Sequence, residues 1–147
     1  MSEATMSMNE ALARLAELRR YMEAIQAQID QATQELEEIR SSTNAISELK
    51  RRPDSELLMP TDRRGHVLFK VKAVDPSKVL THVGLEYFAE VDIEKAVEIL
   101  TIKEKEVKEV LGTLQQELNK VASAYKQLQD AVNAALARAR GKAGAGQ

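Results

Sequence analysis

The chain has 147 residues, 44% of them apolar, 30% charged and 3% aromatic, with no cysteine and a formal net charge of −2. This is the bias of long helices and coiled coils, and it disfavours a compact enzyme core, which draws heavily on buried aromatic rings. It also excludes a disulfide framework and thiolate metal sites, and the charge is too mild to point to a polyanionic partner. The start lacks a basic stretch followed by an apolar one, and no window approaches about 18 uninterrupted apolar residues. Neither a signal peptide nor a membrane span is expected, and a reducing cytoplasm fits the cysteine count.

Residues 1–52 read as one helix. Every seventh residue from Met8 gives Met8, Leu15, Met22, Ile29, Leu36 and Thr43; the row offset by three gives Ala11, Leu18, Ile25, Ala32, Ile39 and Ile46. Only Thr43 is polar. A strict seven-residue repeat specifies a left-handed supercoil seam, because about 3.5 residues per turn keeps those side chains facing a partner. Ser7 with Glu10 suggests a capping box at the start, and Pro53 enforces the stop.

Residues 53–91 hold all three prolines and read in period two. Four short runs, Glu56–Met59, His66–Val74, Val79–Val83 and Tyr87–Val91, are separated by turn chemistry, the pattern of two β-hairpins. In the second run Val67, Phe69, Val71 and Ala73 share a face. Isolated hairpins are marginal in water, so their apolar faces and open edges need other copies. The candidate assembly residues are Leu58, Val67, Phe69 and Val71 in the first hairpin, with Val79, Val83, Tyr87 and Phe88 in the second.

Residues 92–140 repeat the heptad. One row is Ile93, Leu100, Val107, Leu114, Val121, Leu128 and Ala135; the other is Val97, Glu104, Leu111, Leu118, Tyr125, Val132 and Ala139, with Glu104 the sole polar member. Asp92 can cap the start and Gly141 the end. Residues 141–147, rich in glycine and alanine, read as a disordered tail. Two seams of matched length, each about 65–72 Å at 1.5 Å per residue, suggest helices folded back on each other. The fold class is α+β: an antiparallel coiled coil whose helices are joined by two hairpins.

No catalytic constellation is present: there is no nucleophile elbow, phosphate-binding glycine loop or zinc-protease motif. His66 and His82 fall in opposite hairpins and read as structural, so neither a metal nor a cofactor is expected. Lys50-Arg51-Arg52 and Arg63-Arg64 lie in turns around the hairpins, residues 51–91 net only +1, and the clusters read as solvated turns or a subunit contact rather than a nucleic-acid stripe. In an antiparallel pair the first helix's start lies beside the second's end, and apolar residues gather there: Met6, Met8, Leu12 and Leu15 on one helix, Val132, Ala135 and Leu136 on the other. They read either as a fraying end of the seam or as a soft apolar surface for clients; on the second reading they are the candidate client-binding residues, with methionine supplying adaptable contacts.

Helix, two hairpins, helix resembles the α-type subunit of prefoldin, the archaeal and eukaryotic co-chaperone. The most specific match is Glu56-Leu57-Leu58-Met59-Pro60, then Asp75-Pro76-Ser77-Lys78-Val79-Leu80-Thr81-His82-Val83-Gly84, then Tyr87-Phe88-Ala89-Glu90. Glu86 stands where the family often has a second glycine. The resemblance implies a hexamer of two α-type and four β-type subunits, with the hairpins assembled into intersubunit β-barrels. It further implies an ATP-independent holdase whose coiled-coil tips bind unfolded proteins and deliver them to the group II chaperonin. The alternatives are a γ-type relative that builds filaments through the same hairpins, and a coiled-coil adaptor on nucleic acid.

Overall fold

The computed structural model describes residues 6–145. In chain order the elements are α1 (Met8–Arg51), β1 (Leu57–Pro60), β2 (Leu68–Val71), β3 (Lys78–Gly84), β4 (Tyr87–Asp92) and α2 (Ile93–Ala145). The strands form two separate antiparallel sheets, β1 with β2 and β3 with β4. The chain divides into two compact units: one holds α1 up to Thr33 with α2 from Glu109, the other Gln34–Lys108.

In the first unit the start of α1 is fixed by a reciprocal cap. The Ser7 hydroxyl accepts the Glu10 amide (3.1 Å) and the Ser7 amide donates to the Glu10 carboxylate (3.0 Å), an arrangement worth about 1 kcal/mol. Ala11, Leu18, Ile25 and Ala32 are buried along one row of α1, and Val132 is buried on α2 beside Ala11. Ile25, 2% exposed, contributes about 1.5–3 kcal/mol by leaving water. Met8 and Ala11 lie beside Leu128 and Val132, whereas the Tyr21 hydroxyl donates to Glu117. Numbers rise on one helix as they fall on the other, so the pair is antiparallel.

Gly141 does not end α2. The helix continues through Ala145, where the composition leads one to expect a disordered tail; residues 146–147 lie outside the described part of the chain. Each glycine costs about 1 kcal/mol relative to alanine. A helix already nucleated, however, adds a backbone hydrogen bond with each further residue, and alanines alternate with the glycines here.

In the second unit Leu36 and Ile39 of α1 are buried, as are Ile93, Ala96 and Val107 of α2. One position of α2 departs from the expected rows: Ala96 is fully buried and Val97 remains 36% exposed. Asp92 still belongs to β4, and the Ile93 amide donates to the Ser77 carbonyl (3.1 Å), so the helix follows the strand directly. The two polar seam residues are satisfied. Thr43 donates to the Ile39 carbonyl (3.1 Å), and Glu104 accepts from Arg40 (3.0 Å) and Lys108 (3.3 Å).

The first hairpin pairs Leu57 with Val71 and Pro60 with Leu68. The alternating run His66–Val74 thus supplies only four residues to the strand, and just beyond it the Thr61 amide donates to the Val67 carbonyl (3.0 Å). Beyond it Asp62 organises the turn, its carboxylate accepting the Gly65 (2.6 Å) and His66 (3.2 Å) amides and meeting the His66 ring (2.8 Å). That ring contact, above all, holds the Asp62 carboxyl below its ordinary range. The second hairpin pairs Lys78 with Asp92 through His82 with Phe88, with an irregularity between His82 and Gly84.

At its tip the positive φ falls on Gly84 (153°) and Leu85 (50°), and not on Glu86. A side chain at position 86 in place of a glycine is therefore accommodated without strain. Leu85 in the left-handed region costs roughly 1–2 kcal/mol; the His82 Nε2–H donates to its carbonyl (2.6 Å) and pins it. His82 also stacks edge-on against Phe88, with 5.3 Å between ring centres.

The Glu104 carboxyl is held below its usual range, first by the hydrogen bond from Arg40 and then by that from Lys108. A carboxylate depressed in the folded state contributes stability that is complete above its unfolded value, around pH 4.5, and is lost as pH falls through the folded one. Glu104→Gln is therefore expected to melt below the parent protein at neutral pH, with the gap closing in the acid range. Melting curves taken across pH check this; a gap of constant size contradicts it.

Candidate functional site

Exposed apolar side chains gather on two surfaces in particular. The first lies where α1 begins and α2 ends. A groove of about 350 Å³ is lined by Met6, Met8 and Ala11 on one side and by Leu128, Ala131, Val132 and Ala135 on the other. The groove contains no charged side chain, so it attracts by apolar burial, which is non-directional and scales with area. The methionines add unbranched, polarisable contacts that adapt to different shapes.

The structure sorts the sequence candidates at this end. Met6, Met8, Val132 and Ala135 come together in the groove. Leu12 and Leu136 are exposed on the surface outside its lining, and Leu15 is half-buried in a neighbouring groove with Arg19, Arg20 and Tyr125. Val132, 7% exposed, forms the floor of the groove and belongs to the seam. Ala11, Leu128 and Ala131 line the groove without having been singled out. The signal for the first two was present, since both stand in the heptad rows. Ala131 is one turn before Ala135, a relation that matters only once the helix is built.

The second surface is that of the hairpins. Leu58, Val67, Phe69, Val83, Tyr87 and Phe88 are exposed, Tyr87 to 69%. Val71 and Val79 are half-buried instead. Val79 pairs with Val91 and Thr81 with Ala89, and these four form the covered face of the second hairpin, while Leu80 and Phe88 stand on its open face. In the first hairpin both faces remain open, with Leu57, Met59 and Phe69 on one and Leu58 and Leu68 on the other. Each two-stranded sheet also leaves its outer edges unpaired, a template for further strands.

The polar groups nearby are engaged in local structure. Arg51 pairs with Glu48 (2.7 Å) and Lys50 with Glu94 (3.9 Å). His66 and His82 hold turns, as described above. Among the described residues no group of three or more His, Cys, Asp or Glu could hold a metal ion, and no helix is long and apolar enough to cross a membrane.

Antiparallel helices with an apolar groove at their ends, joined by hairpins with open faces, define a coiled-coil protein of binding and assembly. The family model described as Prefoldin subunit matches residues 18–138. The chain is 40% identical over 129 residues to the Prefoldin subunit alpha of Sulfurisphaera tokodaii, covering 88% of this chain and 84% of that one. It is 34% identical over 127 residues to the protein of the same name from Saccharolobus solfataricus, covering 86% of each. Among solved structures, the cryo-EM structure of filamentous PFD from Methanocaldococcus jannaschii is similar in fold, with a TM-score of 0.62 and 23% identity over 83% of this chain and 98% of that one. The chain belongs to the prefoldin family, and the relatives it matches are archaeal α subunits. Prefoldins are chaperones, not a family of enzymes.

The burial differences at the helix ends separate packing from surface. Val132→Ala is expected to cost about 1–3 kcal/mol of stability by leaving a cavity in the seam. Leu12→Ala, at a position 50% exposed, should stay within about 0.5 kcal/mol. Chemical denaturation of the two variants measures both, and equal losses contradict the assignment of Val132 to the floor.

Proposed function

We propose that this chain is the α-type subunit of a cytoplasmic, ATP-independent holdase. Two α-type and four β-type subunits associate through their hairpins as intersubunit β-barrels. The helix ends hold non-native polypeptides and pass them to a group II chaperonin. The observation that carries this reading is the uncharged groove between Met6, Met8, Val132 and Ala135, an apolar surface free of any catalytic group. Its mechanism is multivalent: one groove binds weakly, but several on one scaffold raise the effective concentration for a client, and each weak contact still releases. Phe69 and Tyr87, exposed on the hairpins, support the assembly half of the reading.

Removing residues 1–12 and 130–147 should abolish suppression of client aggregation while leaving the hexamer with a β-type partner intact. Leu12→Gln with Leu136→Gln, both at exposed positions, should weaken protection without touching the seam. Undiminished protection by both variants contradicts the assignment of client binding to the helix ends. Phe69→Asp or Tyr87→Asp should prevent assembly, seen as a drop in mass by light scattering. Fibres formed by the chain alone, with no closed complex when a β-type subunit is added, would favour the filament reading instead.

A further inference from the structure

The end of α2 carries a charge pattern that an apolar groove does not require. After Asp130 the sequence has no acidic residue, and Arg138, Arg140 and Lys142 follow within the helix. From Asn133 through Gly144 every residue is exposed. At 3.6 residues per turn, Val132, Ala135 and Ala139 fall on one stripe. Arg138 and Lys142, one turn apart, run along one flank of that stripe, and Arg140 lies on the other.

Local structure accounts for little of this charge. A cation in the last turn offsets the helix dipole, and Lys142 occupies that place; Arg138 and Arg140 stand further back. Among the described residues no carboxylate forms an ion pair with any of the three. Glu10, on the first turns of α1, is already engaged in the cap with Ser7. Among the described residues the result is an apolar stripe edged by cations without an ion-pair partner, on a helix end with no covering element.

We infer that this helix end selects unfolded segments in which acidic residues alternate with apolar ones, the apolar side chains entering the groove and the carboxylates meeting Arg138, Arg140 and Lys142. The inference rests on the helix ends being the client site and names the class of client they prefer. The charge complementarity is with a flexible polypeptide, because a groove of about 350 Å³ admits single apolar side chains, and cations on both flanks reach carboxylates on either side of them. Arginine suits this role, since its planar fork pairs with carboxylates in two hydrogen bonds.

The test uses the full chain assembled with a β-type partner and two fluorescent unstructured peptides of equal length and equal Leu and Phe content. One carries Glu, the other Lys, between the apolar residues. Binding followed by anisotropy should favour the Glu peptide by roughly 5- to 10-fold at low salt, as three exposed ion pairs allow, and the preference should shrink as salt rises. The variant Arg138→Gln, Arg140→Gln, Lys142→Gln, with helix content checked by circular dichroism, should bind both peptides alike. Equal binding of the two peptides by the parent protein, or a preference unchanged in the variant, overturns the charge inference and leaves the apolar client site standing. Binding of neither peptide overturns the client site itself. Tighter, variant-sensitive binding to phosphatidylserine vesicles or to duplex DNA than to the Glu peptide overturns the choice of occupant.

Discussion

The seam between α1 and α2 is the constraint on which everything else depends. With few aromatics, the protein cannot build a bulky core, and it buries alanine, leucine, isoleucine and valine in narrow rows instead. Such rows are stable only when two helices lie side by side, since a single helix in water gains too little from propensity alone. Because the seam takes up the apolar residues at heptad positions, those elsewhere remain at the surface. The groove at the helix ends and the open hairpin faces are both products of that division.

Polar residues within the seam refine it without breaking it. Glu104 is held by Arg40 and Lys108, and Thr43 by the Ile39 carbonyl. Tyr21 reaches across to Glu117, and donating its proton there raises its pKa above that of a free phenol. A charged pair at one point of a coiled coil costs some stability compared with leucine but rewards one register over its neighbours. Lys103 adds a further tie by donating to the His82 carbonyl (3.1 Å), which joins α2 to the second hairpin.

The two hairpins differ in self-sufficiency, and the difference has a physical origin. The second has a covered face of Val79, Thr81, Ala89 and Val91, and its β4 runs directly into α2. The first is four residues a side with both faces apolar and open. A ribbon of that kind gains little by itself and much by pairing. Assembly through the hairpins, as proposed, would relieve that imbalance and carry the grooves proposed for clients on one scaffold.

Much of this architecture is legible in the residue order. The heptad rows from Met8 to Ile46 predict the buried positions of α1, Ser7 and Glu10 predict its cap, and the turn residues around Asp62 and Asp75 place the hairpins. Period and turn chemistry are local properties, so the sequence by itself determines them. The tertiary structure decided what depends on a neighbour. It buried Ala96 in place of Val97 in the first turn of α2, where the helix follows β4 directly. It brought Met6 and Met8 beside Leu128 and Val132 in one groove, and it carried α2 past Gly141 to Ala145. Which side of a helix faces its partner is a property of the pair, and no single run of residues contains it.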